Sequence, residues 1–231
     1  VTGFGAVFRR ELLSLWVTPL AWVLVTVFLL LQGAAYYLVV RHLATAPALG
    51  IDTGPVQAYF GQSIFLLVSL LLLCPALLTA PVSPVAVVLG KFLAVFATYC
   101  LMWAPTVLYV VILRDTGAID WGVVGTSYLG VLAIGGGYLA LGVLMSALTR
   151  SQLVAFLLTV SIEFGLFILG IGEYVFDPGP LLDTCIHVSV FSQMDELSKG
   201  VLDLRRVVFD GSLIALPLFL TTRVVESWRW G

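Results

Sequence analysis

Apolar residues in this chain come in runs far longer than an amphipathic helix or strand needs, and polar residues are confined mostly to the gaps between them. The runs cover Leu20–Val40, Gln57–Pro75, Val87–Leu113, Val123–Leu148, Gln152–Ile171 and Val207–Val225. A bilayer takes roughly 20 apolar residues per helical crossing, and a helix closes its backbone hydrogen bonds within one segment. The pattern therefore predicts six transmembrane helices. The third and fourth are long enough to tilt or to carry an extra turn outside the membrane.

The shorter segments have patterns of their own. Phe4, Val7, Phe8, Glu11, Leu12, Leu15 and Trp16 recur at helical spacing opposite Arg9 and Arg10. This predicts an N-terminal elbow helix lying flat at the inner interface, ended by Pro19. Thr79-Ala80-Pro81-Val82-Ser83-Pro84 is a stiff turn between the second and third spans. Gly135-Gly136-Gly137, with Gly142 and Ser146, predicts close helix packing in the fourth span. Asp177-Pro178-Gly179-Pro180 is a turn. Beyond it, Phe191, Met194, Leu197, Val201 and Leu204 fall on one side of one or two short amphipathic helices in an outer loop. The fold is thus all-α, one polytopic membrane domain over residues 1–231: elbow 1–19, spans one to five 20–171, outer loop 172–206, span six and the cytoplasmic end 207–231.

Composition agrees: 61% hydrophobic against 10% charged residues would leave a soluble protein with uncoverable apolar surface. Charge then orients the chain. With the N-terminus inside, the inner segments hold six basic residues and two acids, the outer ones five and ten. Three of the outer basic residues lie in the long fifth loop, where the positive-inside rule is weak. Both termini are expected in the cytoplasm. Arg9 and Arg10 precede the first span, but no small-residue cleavage site follows Val40, and Val1 in place of Met suggests a chain trimmed at its start. Cys74, Cys100 and Cys185 form no C-x-x-C and read as small apolar residues.

Catalytic signatures are missing from the sequence: there is no H-E-x-x-H, no G-x-S-x-G, and no ligand cluster around His42 or His187. Gly90-Lys91 resembles the end of a phosphate-binding loop, but Val85 stands at the position of its first glycine and Phe92 at its Ser or Thr. No cofactor is expected on this chain. Glu163 stands alone inside the fifth span, where a charged carboxylate costs at least ~2.5–3.5 kcal/mol. With Gln152, Thr159 and Ser161 it marks a wetter face. Thr159 and Glu163 either line a translocation path or serve a helix interface through an interhelical hydrogen bond.

Taken together, these stretches resemble the membrane permease of a type 2 ABC exporter, of the gliding-motility-like bacterial branch. The resemblance rests on Phe8-Arg9-Arg10-Glu11-Leu12 with Pro19-Leu20-Ala21-Trp22, and on Leu77 to Ser83 with Gly90-Lys91-Phe92. It also rests on Asp120-Trp121-Gly122, Ser146 to Gln152, Phe191 to Arg205, and the ending from Thr221 to Trp230. Each motif is weak alone; their order on six spans is more specific. The resemblance implies a bacterial inner-membrane subunit without catalytic activity of its own, paired with a second permease copy. Two cytoplasmic ATP-binding subunits would hold the ATP and Mg, an accessory membrane protein often joins, and nucleic acid is not a partner. It implies coupling to the ATPase through Arg9, Arg10, Glu11, Thr79, Ala80, Pro81, Val82 and Ser83. It also implies an outer gate that includes Phe191, Met194 and Leu197.

The chain departs from the family pattern before the Leu-Leu-Thr-Ala-Pro-Val-Ser turn, where a charged stretch is normal and Pro75-Ala76 here runs straight into Leu77. Either much of the coupling helix is gone or a flexible segment is missing from the sequence, and the second is favoured because an exporter without this contact is hard to drive. Two other functions compete with the exporter: a proton-coupled secondary carrier using Glu163, and a membrane assembly subunit without flux.

Overall fold

A computed structural model describes residues 2–45, 54–61, 85–114 and 119–227. Among them are ten α-helices and one 3-10 turn, with no strand. Five helical segments are long and apolar enough to cross a membrane: Ala21–Thr45, Val88–Leu113, Trp121–Leu148, Gln152–Tyr174 and Leu204–Ser227. Of the predicted second span, only its start falls in the short helix α3 (Pro55–Phe60). The rest, with the Thr79–Pro84 turn, lies outside the described residues.

The N-terminal segment is helix α1 (Thr2–Val17), and α2 (Pro19–Thr45) follows after a single bend residue. The joint is fastened. Trp22 Nε1 donates to the Trp16 carbonyl at 3.0 Å, and the two indoles meet edge to face with centroids 5.5 Å apart. The apolar stripe of α1 turns onto protein: Val7 lies against Gly90, whose added Cβ would come within 3.1 Å of Val7 Cγ1.

The predicted third span is interrupted. Helix α4 (Val85–Trp103) stops, and α5 (Thr106–Leu113) resumes after Ala104-Pro105. Pro105 has no N–H, so the Leu101 carbonyl four residues back loses its helical donor; Val107 N turns to the Ala104 carbonyl at 3.2 Å, and Thr106 Oγ1 donates to the Trp103 carbonyl at 2.6 Å. A continuous apolar run concealed a break that Pro105 alone requires.

Helix α6 (Trp121–Leu148) is the centre of the bundle, with 72% of its most apolar stretch buried against 17% for the last helix. Asp120 caps it, accepting from Gly122 N at 2.8 Å. Its three successive glycines receive neighbours on two sides. A Cβ on Gly135 would fall 2.4 Å from the Tyr99 ring of α4, and one on Gly137 would fall 2.7 Å from Leu213. Gly136 faces Ile214 and Phe96. The Tyr99 hydroxyl donates to the Val131 carbonyl at 3.0 Å, which fixes the ring over the glycine. The small-residue stretch is therefore a packing surface.

Helix α7 (Gln152–Ile171) returns antiparallel beside α6 and runs into a 3-10 turn, Gly172–Tyr174. Two short amphipathic helices follow, α8 (Pro180–Val188) and α9 (Val190–Ser198). Helix α10 (Leu204–Ser227) closes the bundle against α6. The expected stripe from Phe191 to Leu204 is cut short. Gly200 adopts φ +80°, and Val201 N bonds back to the Glu196 carbonyl at 3.0 Å, so α9 ends in a left-handed cap. Val201 and Leu204 are exposed beyond it. The last helix also starts at Leu204, earlier than the apolar run from Val207 suggests, which brings Arg206 into the same helix as Asp210.

Gly135→Ala should cost about 1–3 kcal/mol, because the Tyr99 ring is fully buried and hydrogen-bonded and cannot yield. Gly125→Ala on the same helix meets nothing within 4 Å and should be neutral or stabilising by up to about 1 kcal/mol. Thermal unfolding in detergent measures both; equal effects would refute the tight α4–α6 contact.

Candidate functional site

Two regions hold the residues with functional potential. The first is the α1–α4 junction. Arg9 and Arg10 are exposed, while Glu11 turns inward, 9% exposed, and accepts from Arg10 Nη2 at 2.8 Å. Lys91 on α4 is 2% exposed and within electrostatic reach of the Glu11 carboxylate. The arrangement presents two guanidinium-bearing residues outward from a helix whose inner face is joined to α4. Sequence reasoning dismissed Lys91 as part of a failed phosphate loop, and only its position after Gly90 at the start of an apolar run signalled a buried cation. Thr79, Ala80, Pro81, Val82 and Ser83 lie outside the described residues.

The second region is the face of α7 toward α6 and the clamp beyond it. Thr159 and Glu163 share one face with Ala155, all three buried. Thr159 Oγ1 is satisfied by the Ala155 carbonyl at 2.8 Å. Glu163 is 0% exposed, and neither carboxylate oxygen has a hydrogen-bond partner among the described residues. Among the described residues, no interhelical hydrogen bond reaches Glu163.

The residues assigned to a gate separate. Phe191 is half-buried between the rings of Phe167 and Tyr174, at centroid distances of 5.3 and 6.3 Å. Met194 and Leu197 point into the bundle against Gly130, where a Cβ would sit 2.3 Å from Leu197 Cδ1 and 3.3 Å from Met194 Sδ. The Leu197 carbonyl also accepts from Thr126 Oγ1 at 2.8 Å. Met194 and Leu197 thus hold α9 onto α6, and Phe191 holds it toward α7.

Polar contacts tie the same helix to α10. Arg206 reaches Glu196 through two nitrogens, Nε to Oε2 at 2.8 Å and Nη2 to Oε1 at 2.9 Å, and donates to Ser192 Oγ at 3.3 Å. Such forked pairs fix geometry as well as charge. Gln193 Nε2 donates to Asp210 Oδ2. On the other flank, Gln57 Nε2 reaches Asp195 Oδ1 at 3.3 Å. The sequence reading gives no functional role to Gln193, Arg206 or Asp210: Gln193 and Arg206 fall in the expected outer loop, and Asp210 in the sixth run counts only as an outer charge. The signal was present in the i, i+4 spacing of Arg206 and Asp210.

Among the described residues, no three His, Cys, Asp or Glu side chains are grouped to hold a metal ion. Compared with protein-family models, curated proteins and solved structures, the chain shows no match.

Replacing Glu163 by Leu should leave the fold intact and raise its unfolding midpoint, since removing a buried, unpaired polar group relieves about 1–3 kcal/mol. Glu163→Gln should change stability little. A marked loss of stability in the Leu variant, measured by thermal unfolding, would reveal a partner for the carboxylate.

Proposed function

We propose that this chain is the membrane-spanning subunit of an ATP-driven transporter of the exporter type, moved by a separate cytoplasmic ATPase. One observation carries the reading: α1 is fastened at both its working points. Its C-terminal end is held to α2 by the Trp16–Trp22 contact, and its inner face is held to α4 by Val7 against Gly90 and by Glu11 beside Lys91. A helix fixed in this way passes an applied push to two spans together. Arg9 and Arg10, left exposed, offer charge to an acidic surface on a partner.

In this reading, nucleotide closes the partner subunits, their movement displaces α1, and α4 and α2 shift against α6. Thr159 and Glu163 then belong to the path, and α9 is the element whose displacement opens its outer end. A second permease copy and the turn at Thr79–Ser83 complete the assembly. The chain itself performs no hydrolysis; ATP and Mg sit on the partner.

A proton-coupled carrier is the second reading. Two observations favour it: Glu163, without a hydrogen-bond partner among the described residues, and the interruption of a span at Ala104-Pro105.

Purification from native membranes separates the two. The exporter reading expects a soluble ATPase to co-purify, and expects Arg9→Glu with Arg10→Glu to lower ATP turnover at least about tenfold, as like charges meet at the contact. Uptake driven by a pH gradient with no ATPase present, or nucleotide hydrolysis by the chain alone, would overturn it.

A further inference from the structure

A cleft of about 220 Å³ opens between α6, α9 and the first turns of α10. Leu129 and Ala133 form one wall, Ile214 another, and Gln193, Arg206 and Asp210 supply its polar groups. The two ionisable residues are not equivalent. Arg206 is matched at short range by both oxygens of Glu196. Its remaining nitrogen, Nη1, has no partner among the described residues but is sealed from the surface, so an anion in the cleft does not reach it.

Asp210 is different. It is 6% exposed and accepts the Gln193 amide through Oδ2, while Oδ1 takes no hydrogen bond among the described residues. Arg206 lies within electrostatic reach of Asp210 as well as being bonded to Glu196, so one cation faces two carboxylates and the group at the cleft carries a net charge of −1. The surrounding segment reinforces that sign, with seven acids against three Lys and Arg between residues 172 and 210. An apolar wall beside a largely buried carboxylate, in a field that favours cations, selects a particular chemistry.

We propose that this cleft binds a lipophilic amine, its ammonium group on Asp210 Oδ1 and its apolar body along Leu129, Ala133 and Ile214. Pockets for drug-sized ligands run to about 300–1,000 Å³, so this cleft takes the head and the first part of a chain. The remainder lies in lipid, because Leu129 and Val207 at its rim are exposed apolar side chains. Such a ligand enters sideways from the bilayer. The site stands independently of what drives the helices, and it is tested on the chain without nucleotide or ATPase.

The full chain in phosphatidylcholine nanodiscs is exposed to dodecylamine carrying a chain-end diazirine, or to the matching alcohol, and labelled peptides are identified by mass spectrometry. The amine should label the segments around Leu129–Ala133 and Ile214 at least about tenfold more than the alcohol, the equivalent of 1.4 kcal/mol. Asp210→Asn should reduce amine labelling to the alcohol level. Ala133→Phe, which fills the cleft and leaves Asp210 in place, should do the same. Equal labelling by amine and alcohol, or unchanged labelling in folded Asp210→Asn, would overturn the proposal. If Asp210→Asn fails to fold, unchanged labelling in Ala133→Phe overturns it instead. Phosphatidylethanolamine added to the nanodiscs should leave labelling in place; its suppression would reassign the cleft to an amino lipid and overturn the single-chain amine.

Discussion

Helices in lipid gain little from burying apolar surface against one another, since the lipid they displace is equally apolar. What brings this bundle together is close approach along α6, where Gly135, Gly136 and Gly137 leave room for neighbours to seat at near-backbone distance. Tyr99 of α4 occupies the first position, Leu213 of α10 the third, and Ile214 with Phe96 the one between. The Tyr99 hydroxyl on the Val131 carbonyl turns this from loose stacking into a fixed register. Two spans are thereby located relative to α6 by adjacent residues of a single turn.

From that turn, order extends in two directions by different chemistry. Helix α4 holds α1 through Val7 on Gly90, with Lys91 in the electrostatic field of Glu11. Helix α10 holds α9 through the forked Arg206–Glu196 bridge and the Gln193–Asp210 bond. Polar groups in apolar surroundings cost most when unmatched, so these contacts resist separation more than exposed equivalents would. Glu163 is the exception, a carboxylate buried without a partner among the described residues, and it lies outside both attachments.

The spans were legible because a long apolar run needs no knowledge of its neighbours, and five of the six predicted spans coincide with described helices. Their interruptions were less so. Pro105 signals a break by itself, but the apolar residues on both sides outweighed it. Gly200 marked the end of α9, yet the apolar positions beyond it continued the helical spacing and extended the expected stripe to Leu204. Arg206 falls in the expected outer loop because its charge ends the run, although its spacing to Asp210, inside the run, fits one face of a helix. The stripe on α1 was read as facing headgroups; amphipathicity gives the direction of burial and not the identity of the cover. The lone acid at position 163 was visible in the sequence, but whether its oxygens find partners depends on α6, which the sequence of α7 does not encode.

The positions of the two attachments constrain how any displacement would spread. Tyr99 and Leu213 contact neighbouring residues of α6, so a shift of α4 that moves this turn also acts on the contact to α10. Helix α9 follows α10 through Arg206–Glu196, and it follows α6 through Met194 and Leu197 on Gly130. A relative slide of α10 along α6 cannot satisfy both holds, since the forked bridge keeps one side of α9 and the packed side chains keep the other. Under the proposed reading, α9 therefore moves only when one of these holds yields. The packed side is the stiffer of the two, because Leu197 has no room to move toward the α6 backbone. The forked pair, with Glu196 partly exposed, can exchange its partner for water. Release at Arg206 would free the guanidinium that now neutralises Glu196 and alter the charge beside Asp210, so a movement begun at α1 would reach the amine cleft as a change in its field.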